Sequence, residues 1–209
     1  MTTRRLAIAG LVGPPLFAAI VVVVTALEWD FLHDVGWSAA PFESPDPPWP
    51  SSTALGDYGF LQILNFVLLG LSVLALAVAL FRLLDVRRKV GPSLVALTGA
   101  ALCLSAIRAD YGMVGGGGPD TWNGFVHALA FTILLPAALL STLVLAAQFR
   151  RDERWRSLSR TSVIAGALLL AGIIGTLADG GSVFFWLFLA ALLGWLVLVS
   201  ARALSLSPR

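Results

Sequence analysis

Seven side chains in this 209-residue sequence combine residue type and spacing in a way that could do chemistry: Gln62, Asn65, Arg108, Asp110, Asn123, His127 and Asp179. Gln62 and Asn65 are three apart, and Asn123 and His127 are four apart. Arg108 follows Ser105 by three, and Asp179 follows Thr176 by three. Residues three or four apart stand on one side of a helix, so four helices would each offer a polar face. An imidazole with a free pKa of about 6.5 serves as base, acid or metal ligand. His127, Asp110 and Asp179 are therefore the candidate catalytic groups. Arginine's forked donors suit an anion or a lipid headgroup. The candidate ligand-binding set is Arg108, Asp110, His127, Asp179, Gln62, Asn65 and Asn123. Plainer roles compete at each position. His127 can be satisfied by Asp110 or Asn65 and so join helices. Arg108 can pair with Asp110 or Asp179.

Other chemistries find less support. A metal set would need His127, Asp110 and Asp179 with His33, yet the chain has only 2 histidines and no paired-histidine spacing. No metal is assigned and no cofactor is implied. Gly115–Gly118 is not a phosphate loop, because no Lys-Ser or Lys-Thr follows it. There is no Gly-x-Ser-x-Gly nucleophile signature, which leaves Ser105 near His127 as the serine to consider. Cys103 is the sole cysteine and lies in an apolar run, so an internal disulfide is impossible.

The elements that must position these residues are membrane helices. The chain is 58% apolar and 12% charged, with a mean hydropathy of +0.88. Soluble domains carry about 25% charged residues. Six apolar runs are long enough to span: 6–27, 59–84, 92–109, 123–149, 161–178 and 182–204. They lack inside–outside alternation, so an all-α, six-helix bundle in one membrane domain is expected rather than a barrel. The first run reads as a retained helix, not a cleaved signal.

Thirteen of the 14 basic residues fall at one side of these runs; Arg108 alone falls at the other. The positive-inside rule makes the basic side cytoplasmic, with both termini there and the protein in the plasma membrane. Nine of the 12 acidic residues lie on the opposite, outer side. The net charge of +2 gives no footing for nucleic acid. The outer loop 28–58 mixes aromatic and charged residues, then carries five prolines between Pro41 and Ser52. It reads as a partial lid or, equally well, as a loose spacer.

Gly59–Leu69 and Gly124–Leu134 share five of eleven residues, which sets Gln62 on His127. Ala109-Asp110 likewise falls on Ala178-Asp179. Two copies of one hairpin in the same orientation would follow. With six helices, Asn65 near the start of the second, the acidic end of the third at Arg108-Ala109-Asp110, and Gly-x-x-His at Gly124–His127, the chain resembles the bacterial membrane family called domain of unknown function 998. The resemblance implies a multi-helix membrane protein and supplies no reaction. The expected function is binding of a lipid headgroup or small polar ligand in an outer-facing polar cavity. A hydrolase-like enzyme using His127 and a helical accessory subunit of a larger complex are the alternatives. Membrane lipids are the expected partners, with protein subunits or a homo-oligomer as further possibilities.

Overall fold

The computed structural model describes residues 1–37, 49–85, 89–114, 117–178 and 182–208. Among them all regular structure is helical: α1 (Thr3–Leu27), α2 (Trp29–Asp34), α3 (Pro50–Thr53), α4 (Gly59–Leu83), α5 (Val90–Leu104), α6 (Tyr111–Val114), α7 (Trp122–Arg150), α8 (Ser157–Leu177) and α9 (Ser182–Leu206). The six longer helices close a ring. α1 packs on α4, α4 on α5, α5 on α7, α7 on α8, α8 on α9, and α9 returns to α1. Apolar side chains face both outward and inward. Val22, Val23, Leu64 and Leu71 are exposed, whereas Phe17, Leu76, Leu145 and Leu196 are buried. A helix apolar all round belongs in a membrane, where lipid covers the outer face.

Five of these helices are long and apolar enough to cross a membrane. The exception is α5. The apolar run 92–109 reads as a span, but its helix has only 15 residues and stops at Leu104. At 1.5 Å rise this is about 22 Å, short of a hydrocarbon core of about 30 Å. Beyond Leu104 the chain tightens: Ala106 donates to the Cys103 carbonyl and Ile107 to that of Leu104. That turn redirects Ile107 to Asp110 across the end of the bundle, where their polar groups find partners.

Small residues let the ring close. A side chain on Gly70 would meet the Gly99 carbonyl at 2.7 Å, and one on Gly99 would meet the Gly70 carbonyl at 2.9 Å. Backbone thus rests on backbone between α4 and α5, the close approach that small residues allow in membranes. Pro14 and Pro15 remove two amide donors within α1, next to Gly13, where a side chain would overlap Ser72 of α4.

The two ends of the bundle differ in charge. Arg82, Arg150, Arg154 and Arg202 gather at one, the basic end, around a buried Trp155 whose indole stacks on Phe149 at 4.8 Å. Arg154 pairs with Asp152 at 3.0 Å, and Arg202 Nε donates to the Arg154 carbonyl at 2.7 Å. Glu28, Asp30, Asp34, Asp57, Asp110 and Asp120 mark the other, the acidic end.

Candidate functional site

A cavity of about 380 Å³ opens inside the ring, toward the acidic end. Phe17 of α1, Phe66 and Leu69 of α4, Phe131 and Leu134 of α7, and Phe185 and Phe188 of α9 give it an apolar wall rich in phenylalanine. Polar groups are confined to Ser105, His127 and Thr132 on one side and to Ser51 and Ser52 above. The wall is therefore mainly apolar, not the polar enclosure that the sequence suggested.

The roof is residues 49–58. Trp49 and Pro50 to Ser52 line the cavity from above. The Trp49 indole packs on Phe185 at 4.4 Å and on Phe131 at 5.5 Å, which anchors it to α9 and α7. Residues 38–48 of the 28–58 loop, including most of its prolines, lie outside the described residues.

Two charged groups hold the roof. Arg108 Nε donates to the Ala54 carbonyl at 3.0 Å, and its Nη2 donates to that of Leu55 at 3.2 Å. These carbonyls end the short α3 and have no helical partner, so the guanidinium supplies the missing donors. Glu28 comes from the end of α1, is 3% exposed, and accepts the Tyr58 N–H at the start of α4. A carboxylate there also suits the positive end of that helix. Arg108 is thus engaged with backbone, not with Asp110.

Asp110 serves α7 in the same way that Glu28 serves α4. Its Oδ2 accepts the N–H groups of Asp120 at 2.8 Å and Thr121 at 2.7 Å, and its Oδ1 accepts the Thr121 hydroxyl at 2.6 Å. The Thr121 hydroxyl, then the Thr121 and Asp120 amides, hold the carboxyl below its ordinary value. Gly124 leaves the room it needs, since a side chain there would overlap the carboxylate.

His127 sits one turn into α7, 8% exposed, on the cavity wall. Its Nδ1 lies 2.7 Å from the Ile107 carbonyl. A carbonyl only accepts, so Nδ1 carries the proton and Nε2 keeps its lone pair. Ser105, on the same wall, turns its hydroxyl to the Ala101 carbonyl at 2.9 Å. Gln62 and Asn65 do not line the cavity. They are buried, at 0% and 1% exposure. Asn65 Nδ2 donates to the Phe17 carbonyl at 3.1 Å and lies 3.4 Å from Gln62 Oε1. Gln62 Nε2 and Asn65 Oδ1 have no partner among the described residues. Asn123 is exposed beyond the cavity. Asp179 lies outside the described residues.

No group of three metal-ligating side chains occurs among the described residues. His33, considered with His127, stands instead between Trp29 and Trp37, with ring centroids 4.7 and 5.0 Å away. Sequence reasoning missed Glu28 and the phenylalanine-rich wall. Glu28 carried a usable signal, since it follows α1 as Asp110 follows α5. The phenylalanines carried none, because they look alike on lipid-facing and cavity-facing positions.

Fold and site together define a multi-pass, membrane-type helical bundle around a roofed, mostly apolar cavity. The chain belongs to the family described as protein of unknown function (DUF998), whose family model matches residues 48–202. That match takes in the roof, the cavity-lining parts of α4 to α9, and His127. No curated protein and no solved structure matches the chain.

Proposed function

We propose that the protein binds an amphipathic, lipid-type molecule in the roofed cavity, apolar body against the phenylalanine wall and polar group beside His127 and Ser105. The observation that carries this reading is the cavity itself: about 380 Å³, apolar on most sides, with a small polar patch on one. Ligand pockets have this size and this mixture of broad apolar lining and few fixed polar groups. The fixed tautomer of His127 leaves Nε2 to accept a hydrogen bond from a hydroxyl or ammonium group.

In this reading the acidic end faces outward and both termini are cytoplasmic, in a plasma membrane. The short α5 is the sixth crossing, and α4–α5 and α7–α8 are two copies of one hairpin. Asp110, Arg108 and Glu28 act through the frame of the site rather than by touching the ligand.

Native mass spectrometry of the full chain, released from detergent, tests the proposal. The wild type should carry a lipid-mass adduct. Ala128→Trp, which places an indole in the cavity, should lose most of it, while Leu198→Trp on the exposed face of α9 should keep it. Equal adducts in all three proteins, or none in the wild type, would sink the reading.

A further inference from the structure

A second space lies beside the cavity, in the seam between α1 and α9. It holds about 540 Å³, and its walls include Ala18, Val22 and Ala26 from α1 with Ala190 and Leu193 from α9. Leu189 lines both spaces, so its side chain stands between the lateral groove and the roofed cavity. The seam differs from every other junction in the ring, because no loop joins α1 to α9. Ala18, Val22, Ala26 and Ala190 are all exposed there, short side chains that leave the space open to the surrounding bilayer.

The groove is as long as one leaflet is deep. From Ala18 to Trp29 the helical rise is about 16 Å, half of a hydrocarbon core of about 30 Å. Trp29 and Trp37 close its end, packed edge to face with centroids 4.9 Å apart. Indoles of this kind rest at headgroup depth, so the groove below them lies level with acyl chains. A helix from a partner would cross both leaflets, whereas this groove ends near Ala18. A single acyl chain fits its length, its apolar wall and its indole rim.

We propose that the α1–α9 groove is the lateral entrance through which the acyl chain of a lipid in the leaflet at the acidic end passes Leu189 into the cavity. This rests on the lipid-binding reading of that cavity. The chain slides from bilayer to groove to cavity without crossing water, and the roof stays shut.

The test is a loading rate. The full chain is reconstituted in phosphatidylcholine vesicles doped with a phosphatidylcholine bearing a diazirine in its acyl chain. It is irradiated at intervals, and the crosslinked peptides are mapped by mass spectrometry. Adducts should form first on Ala18–Ala26 and later on Phe131, and in the Phe131 peptide only adducts on Phe131 itself are counted, because exposed Leu129 meets the bilayer directly. Ala190→Phe, which fills the groove, should slow labelling of the Phe131 peptide at least fivefold without changing its final level. Leu189→Ala, which removes the divide, should speed it, so a misfolded Ala190→Phe does not decide the matter. If Leu189→Ala labels the Phe131 peptide at the wild-type rate, the entrance is refuted and the cavity reading stands. If wild-type cavity peptides never acquire label, both fall.

Discussion

Asp110 and Gly124 act as one unit. The carboxylate accepts three hydrogen bonds from Asp120 and Thr121 at the head of α7, and Gly124 is the space in which it sits. A helical glycine ordinarily costs roughly 1 kcal/mol relative to alanine, so Gly124→Ala would stabilise a helix that had nothing beside it. Here the sign reverses. Gly124→Ala must push the carboxylate off its donors, and its melting temperature in detergent should fall below that of the wild type. Asp110→Asn should also melt lower, and with a pH signature. The folded carboxyl titrates below its unfolded value. Its stabilisation is therefore complete above an unfolded pKa of about 3.9 and is lost as pH falls through the lower folded one. The gap between wild type and Asp110→Asn should be full at neutral pH and close on acidification below pH about 4. A gap that widens in acid would show that the carboxylate does not hold the helix. These residues show where sequence reasoning stops. Arg108, Asp110 and His127 are each recognisable as polar residues near the acidic end. Their partners are the carbonyls of Ala54, Leu55 and Ile107 and the amides of Asp120 and Thr121. Every residue has such groups, so nothing in the sequence marks which ones will be met.

The roof is the element on which access from the acidic end depends. It is one turn of helix, too short to be stable alone, and it is held by Trp49 against Phe131 and Phe185 and by Arg108 beneath its last carbonyls. Hydrogen bonds to a charged group contribute roughly 1.5–3 kcal/mol, which is a factor of about ten or more in an opening equilibrium. A cysteine placed at buried Ser52, in a Cys103→Ser background, reports that opening. Adding Arg108→Ala should raise its labelling rate by a water-soluble maleimide about tenfold. An unchanged rate would mean that the aromatic contacts alone keep the roof closed. From the length and composition of the 28–58 loop, a lid and a loose spacer were equally legible. Which residues cover, and that an arginine holds them, was not, because the anchoring depends on where α5 stops and how its last turn bends.

At the scale of the whole molecule, charge and hydropathy carried most of the information. Helix ends followed from where Arg and Lys cluster, and five of the six expected runs are helices of spanning length. The run 92–109 read longer than its helix because Ser105–Ala109 are apolar enough to pass for span yet form the turn that supplies Ile107 and Arg108 to the site. The cavity stayed hidden for a related reason. When every helix is apolar all round, hydrophobic pattern no longer distinguishes lipid-facing from inward positions. Orientation is open to a direct check. In intact cells, with Cys103 replaced by serine, Asp120→Cys should react with a membrane-impermeant maleimide and Glu153→Cys should not. The opposite pattern would invert the topology and place the roof on the cytoplasmic side.

The ring also sets its shortest helix beside its longest. α5 has 15 residues and neighbouring α7 has 29, about 22 Å against about 44 Å. Neither matches a core of about 30 Å. A helix too long for its bilayer leans or projects, and one too short draws the headgroups inward. With α5 as the proposed sixth crossing, the bilayer beside it should thin, whereas the α1–α9 flank, two helices of 25 residues each, is about 38 Å long and should draw no headgroups inward. The lipid collar expected around such a ring is lopsided, with the proposed lateral groove on its thicker side.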